Sequence, residues 1–142
     1  VSVNGVIDYF EKVYEHHFGA GEISAVDKTN KVRALFQHAE RRNLQPLLDF
    51  LSRHKNVRLI GKNVTKKRAP TVSFTVERRD PQEIAKALAQ RNIGIANGHC
   101  YAYRLIEALG IPLEMGVVRT SFVHYTRQQE VKRLLGALDE IL

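Results

Sequence analysis

Val6, Ile7, Phe10, Val13, Tyr14 and Phe18 recur at helical spacing near the start of the chain, which predicts an amphipathic helix. Asn4 is placed to cap it and Gly19 to stop it. Residues 20–30 are small and polar and read as a connection. From Lys31 an apolar stripe runs through Val32, Leu35, Phe36 and Ala39, then Leu44, Leu47, Leu48 and Leu51. It predicts a long helix, kinked at Pro46 because proline lacks an N–H and crowds the preceding turn.

The period then changes. Residues 57–60 read as a short strand closed by Gly61, and residues 71–77 alternate, with Val72, Phe74 and Val76 on one face. Thr71, Ser73 and Thr75 take the other face, the pattern of a strand buried on one side. Asp80, Pro81 and Glu83 supply an N-cap, a first-turn proline and an acidic third position for a helix reaching about Arg91. A short strand is expected at 93–96, a turn at 97–100, and a short helix at 101–109 ended by Gly110 and Pro112. Residues 116–125, G-V-V-R-T-S-F-V-H-Y, are β-branched and aromatic and predict a strand of about six residues. Thr126 and Gln129 then form a capping box ahead of an amphipathic helix through Val131, Leu134, Leu138 and Ile141. The order predicts an α+β fold: a small mixed, partly antiparallel sheet, helices covering one face, and a long N-terminal linking helix.

Composition narrows the class. The chain has 142 residues, 44% hydrophobic and 26% charged, enough for a core without disulfides or metals. No apolar run approaches the ~20 residues of a membrane span. Cys100 is the single cysteine, which excludes an internal disulfide and fits a reducing compartment. With no basic-then-apolar leader, a cytoplasmic protein is expected. The chain opens at Val1 without an initiator Met, from which a processed or truncated product is expected.

The net charge of +7 suits nucleic acid, an anionic ligand or neither. Lys62, Lys66, Lys67 and Arg68 form the densest basic patch. It reads as a solvated loop or as a phosphate contact, but no aromatic residues interleave to stack on bases, which disfavours nucleic acid.

Two places carry candidate chemistry. Arg119 is a charge inside a predicted strand. It either points to solvent or grips an anion, a carboxylate being matched by two parallel hydrogen bonds. The turn at 97–101 precedes a helix start, where N–H groups favour anions. Within it His99 sits beside Cys100, a nucleophile pairing if an imidazolium lowers the thiol pKa, or simply a small half-buried cysteine. His16 and His17 are adjacent and point apart, so no metal site is expected. There is no Gly-rich phosphate loop.

The strings A-P-T-V-S-F-T-V, D-P-Q-E-I-A-K-A-L, R-N-I-G-I-A-N-G-H-C-Y-A, V-V-R-T-S-F-V-H-Y-T and E-V-K-R-L-L-G-A-L occur in an order that resembles the C-terminal part of class V aminotransferases, in their cysteine desulfurase-like branch. The resemblance covers most of the chain and is most specific over 69–142. It implies a helix and connection at 1–30 following a cofactor core, and a C-terminal small domain at 31–142. It also implies pyridoxal phosphate held by a lysine of a large domain, an amino-acid substrate, and a homodimer. Arg119 matches the family's carboxylate-binding arginine. Asn97, His99 and Tyr101 belong to the loop over the substrate, and Cys100 is the candidate nucleophile. Two departures bear on the reaction. The desulfurase cysteine aligns with Tyr101, one place after Cys100, and a second arginine is replaced by the I-A-N context. Desulfurase, lyase and aminotransferase reactions therefore stay open. No lysine here has the Ser-x-His-Lys setting used to bind the cofactor, so no cofactor is expected on these residues, and alone they are expected to be inactive. The competing reading is a free-standing basic nucleic-acid-binding or protein-interaction module.

Overall fold

The computed structural model describes residues 2–21, 23–66 and 68–142, with Ser2 by its backbone alone. They form two compact units, one up to Ala39 and the other Glu40–Leu142. Among the described residues no helix is long and apolar enough to cross a membrane.

The first unit holds helix α1 (Ser2–Phe18) and the beginning of helix α2 (Ala25–Arg53). Asn4 is not the cap expected of it, because α1 already begins at Ser2. Gly19 does stop the helix: its φ of 77° is one an L side chain resists, and its N–H donates to the Glu15 carbonyl at 2.9 Å. α2 starts at Ala25 rather than Lys31. The reason is Ser24, whose Oγ accepts from the Asp27 N–H at 3.1 Å and donates to Asp27 Oδ2 at 2.7 Å. That cap satisfies an N-terminal donor that the apolar stripe could not reveal. Phe36 stacks near Tyr9 and edge-on to Phe10, with ring centres 6.2 and 5.5 Å apart, and Tyr14 and Val32 are buried.

The second unit contains the rest of α2, which is continuous through Pro46, and a four-stranded sheet. The strands are β1 (Val57–Ile60), β2 (Thr71–Val76), β3 (Ala96–Gly98) and β4 (Val117–Ser121), in the order β1-β2-β4-β3. All three pairings are antiparallel, and the parallel character is confined to a single bridge between Gly98 and Gly116. Helices α3 (Pro81–Ala89), α4 (Tyr103–Ala108) and α5 (Gln128–Ile141) complete an α+β fold.

Alternation sorts the faces. Val72, Phe74 and Val76 of β2 and Val118 of β4 are buried with Leu44, Leu47 and Leu48 of α2, Ile84 and Leu88 of α3, and Leu134 and Leu138 of α5. Phe74 is fully buried, worth about 1.5–3 kcal/mol against exposure. The opposite face is polar over most of its area, with Ser73 and Arg119 on it, but Ile106 of α4, Ile111 and Val117 form a second small core there with Ile60. α4 is therefore set against the other face.

Three local expectations shift. The edge strand is 96–98, not 93–96: Ile93 and Ile95 pack onto the main core from the segment after α3 instead of pairing in the sheet. α4 is shorter than 101–109, because Cys100 and Tyr101 take positive φ of 49° and 62° and cannot continue a helix. α5 is capped through the Arg127 N–H, which donates to Glu130 Oε2 at 2.7 Å, while Thr126 Oγ1 accepts instead from the Val123 N–H at 3.0 Å.

Candidate functional site

β4 carries Arg119 between Ser73 of β2 and Ala96 of β3, its two directly opposite neighbours. Both are small, so the guanidinium has room beside it on the face away from the main core. An open groove of about 310 Å³ at the β3 side of the strand is lined by Arg119, Thr120, Ser121 and residues 94–96. Arg119 is half-buried, and its Nε is buried without a hydrogen-bond partner. No carboxylate pairs with it among the described residues. A buried donor left unpaired costs about 1–3 kcal/mol, so the fold holds this side chain at a standing penalty that an anion would relieve.

The loop lies at the other end of β3. Gly98 pairs with Val117 and Ala96 with Arg119, so about 7 Å of strand separates Arg119 from the loop. What fixes the loop is Gly116: with φ 65°, a Cβ there would overlap the Gly98 backbone. The two strands approach so closely that only glycine fits. The hydrophobic pattern does not reveal Gly116 as a positioning residue; its one signal in the sequence is a glycine directly before a β-branched strand.

The loop residues separate. Asn97 is exposed and pairs with Val118, which places it on the core side of the sheet at the edge, opposite Arg119. The His99 ring stacks on Tyr103 at 4.0 Å and 26°, and its Nδ1 accepts from the Tyr101 N–H at 3.1 Å. Tyr101 is 93% exposed. Cys100 is half-buried, and among the described residues no base hydrogen-bonds its Sγ. His99 is thus held by its stack and its backbone bond, and among the described residues no hydrogen bond orients it as a base for the thiol. α4 has only six residues and no side-chain cap.

The basic patch is a different object. Arg68 donates from Nη1 to the Lys62 carbonyl and from Nη2 to the Ile60 carbonyl, the latter at 3.2 Å. It folds its loop back on β1, and burial pushes its pKa down. Lys62 and Lys66 are exposed; Lys67 lies outside the described residues. The other described lysines are exposed too, apart from half-buried Lys28, whose Nζ lies 5.5 Å over the Tyr14 ring. None lines the Arg119 groove. Among the described residues no three His, Cys, Asp or Glu side chains could hold a metal ion.

Comparison with known proteins gives this geometry a family. The model of the family "Aminotransferase class-V" matches residues 6–134. The chain is 34% identical over 112 residues to "Aminotransferase-like protein FGM3" of Gibberella zeae, covering 77% of this chain and 28% of that protein. It is 27% identical over 140 residues to a "Probable cysteine desulfurase" of Pseudomonas putida, covering 99% of this chain and 29% of that protein. The solved apo cysteine desulfurase of Thermococcus onnurineus superposes with a TM-score of 0.70 at 26% identity, over 82% of this chain and 29% of that one. The chain thus spans less than a third of the length of each of these relatives. It belongs to the class V aminotransferase family and is cysteine desulfurase-like in sequence and fold.

Proposed function

We propose that this chain is the C-terminal, substrate-gripping domain of a pyridoxal phosphate enzyme acting on an amino acid. In this reading residues 1–30 follow the cofactor-binding domain and residues 31–142 form the small domain. Arg119 holds the substrate carboxylate through its guanidinium edge. Asn97, His99 and Tyr101 shape the neighbouring loop, and Cys100 is its candidate nucleophile. Pyridoxal phosphate, bound by the large domain, supplies the electron sink for chemistry at the substrate's α-carbon. The enzyme is a cytoplasmic homodimer, and these 142 residues alone are inactive.

The observation that carries the reading is Arg119 itself: a strand arginine with a buried, unpartnered Nε beside an open groove, to which the family resemblance assigns the carboxylate-binding role. Charge-assisted bidentate pairing is the strongest neutralisation open to it.

Arg119→Ala in the longer enzyme is expected to lower kcat/KM by about 100- to 1000-fold, since hydrogen bonds to a charged group contribute roughly 1.5–3 kcal/mol each. Arg119→Lys restores charge without the fork and recovers only part. Unchanged kinetics in both variants would remove the assigned role. For the inactivity of the chain alone, pyridoxal phosphate titration with borohydride reduction is the check: stable attachment to one lysine contradicts it.

A further inference from the structure

A second groove lies on the far side of Gly116 from the 98–101 loop, where β2 ends and the 110–116 segment enters β4. Three arginines line it, Arg58, Arg78 and Arg79, over an apolar floor that includes Ile111, Pro112 and Met115. Among the described residues no acidic side chain lines it. Two of the guanidinium groups are already oriented: Arg58 Nη2 donates to the Leu109 carbonyl at 2.9 Å, and Arg79 Nη1 donates to the Ile141 carbonyl at 3.1 Å. Each keeps further N–H groups for another acceptor. Arg78 projects from a residue at φ 55°, with its side chain 91% exposed and only the exposed carboxylate of Glu77 nearby, at 3.5 Å. Such an exposed contact is weak and readily exchanged.

We propose that this groove docks an acidic segment of a partner protein, its carboxylates on the three arginines and an apolar side chain on the floor. Charge selects an anion, and the floor selects one with an apolar body. The groove holds about 230 Å³, room for an apolar side chain with its flanking carboxylates on the arginines. Positioned guanidinium groups lose little freedom on binding, which favours affinity at a small interface.

The test is fluorescence anisotropy with a labelled Gly-Glu-Leu-Glu-Gly peptide, against the same peptide carrying Gln for Glu. The Glu peptide should bind at least about tenfold tighter and weaken as salt shortens the screening length. Arg78→Ala, at an exposed side chain that the fold does not need, should weaken binding about tenfold, Arg58→Ala similarly, and the exposed-surface control Lys132→Ala not at all. Equal binding of the two peptides, or arginine variants that behave like the control, overturns the proposal. Displacement of the peptide by an equal concentration of inorganic phosphate also overturns it, in favour of a simple anion site.

Discussion

Arg68 and Arg119 share an unusual feature, a buried Nε with no hydrogen-bond partner, yet their surroundings give them different work. Arg68 spends its two terminal nitrogens on the carbonyls of Lys62 and Ile60, so its charge closes a loop. Arg119 spends none on its own backbone; its neighbours across the sheet are Ser73 and Ala96, and its open side is a groove. The densest run of positive charge in the sequence is therefore in part a clasp, and the isolated charge in a strand is the candidate for binding. Charge density alone is a poor guide. What distinguishes the two arginines is where their donors end.

Substitutions at four positions probe that distinction, each read as a guanidine unfolding midpoint. Gly116→Ala should be the most damaging, at about 3 kcal/mol: the new Cβ meets the Gly98 backbone, which cannot move without opening the β3–β4 pairing, and its φ of 65° adds strain. Arg68→Ala should cost about 2 kcal/mol by freeing its loop, with Arg68→Lys recovering less than half because lysine cannot fork between two carbonyls. Gly61→Ala should cost about 1 kcal/mol, less than Gly116→Ala, since the atom in its way, Arg68 Nη1 at 3.2 Å, needs to give by only a few tenths of an ångström and can keep its carbonyl partner. Arg119→Ala should change stability by less than about 0.5 kcal/mol, because lost packing is offset by removal of an unpaired donor. If Arg119→Ala destabilised the fold more than Arg68→Ala, the comparison would be reversed.

A strand whose residues alternate is legible from its sequence. In β2 the order of Thr71 to Val76 alone separates core from solvent, and Asp80-Pro81 announces α3; Asp80 Oδ1 does accept from the Gln82 N–H at 2.7 Å. β3 is not legible in this way, because Ala96, Asn97 and Gly98 have little strand preference. They become a strand through the Gly98–Gly116 approach, a tertiary fact. Arg119 stands out as a candidate because a charge in a β-branched strand demands an explanation, while the small neighbours that make room for it come from distant segments. The faces of Asn97 and Arg119 follow only from the register that sets Asn97 against Val118.

The most direct measurement is a two-by-two cycle in the longer enzyme: kcat/KM for the amino-acid substrate and for its carboxamide, each with Arg119 and with Arg119→Ala. If the guanidinium grips the carboxylate, the carboxamide and the mutation each cost about 100-fold or more, and together cost little beyond either alone. Independent losses that multiply would place the carboxylate elsewhere and contradict the role assigned to Arg119.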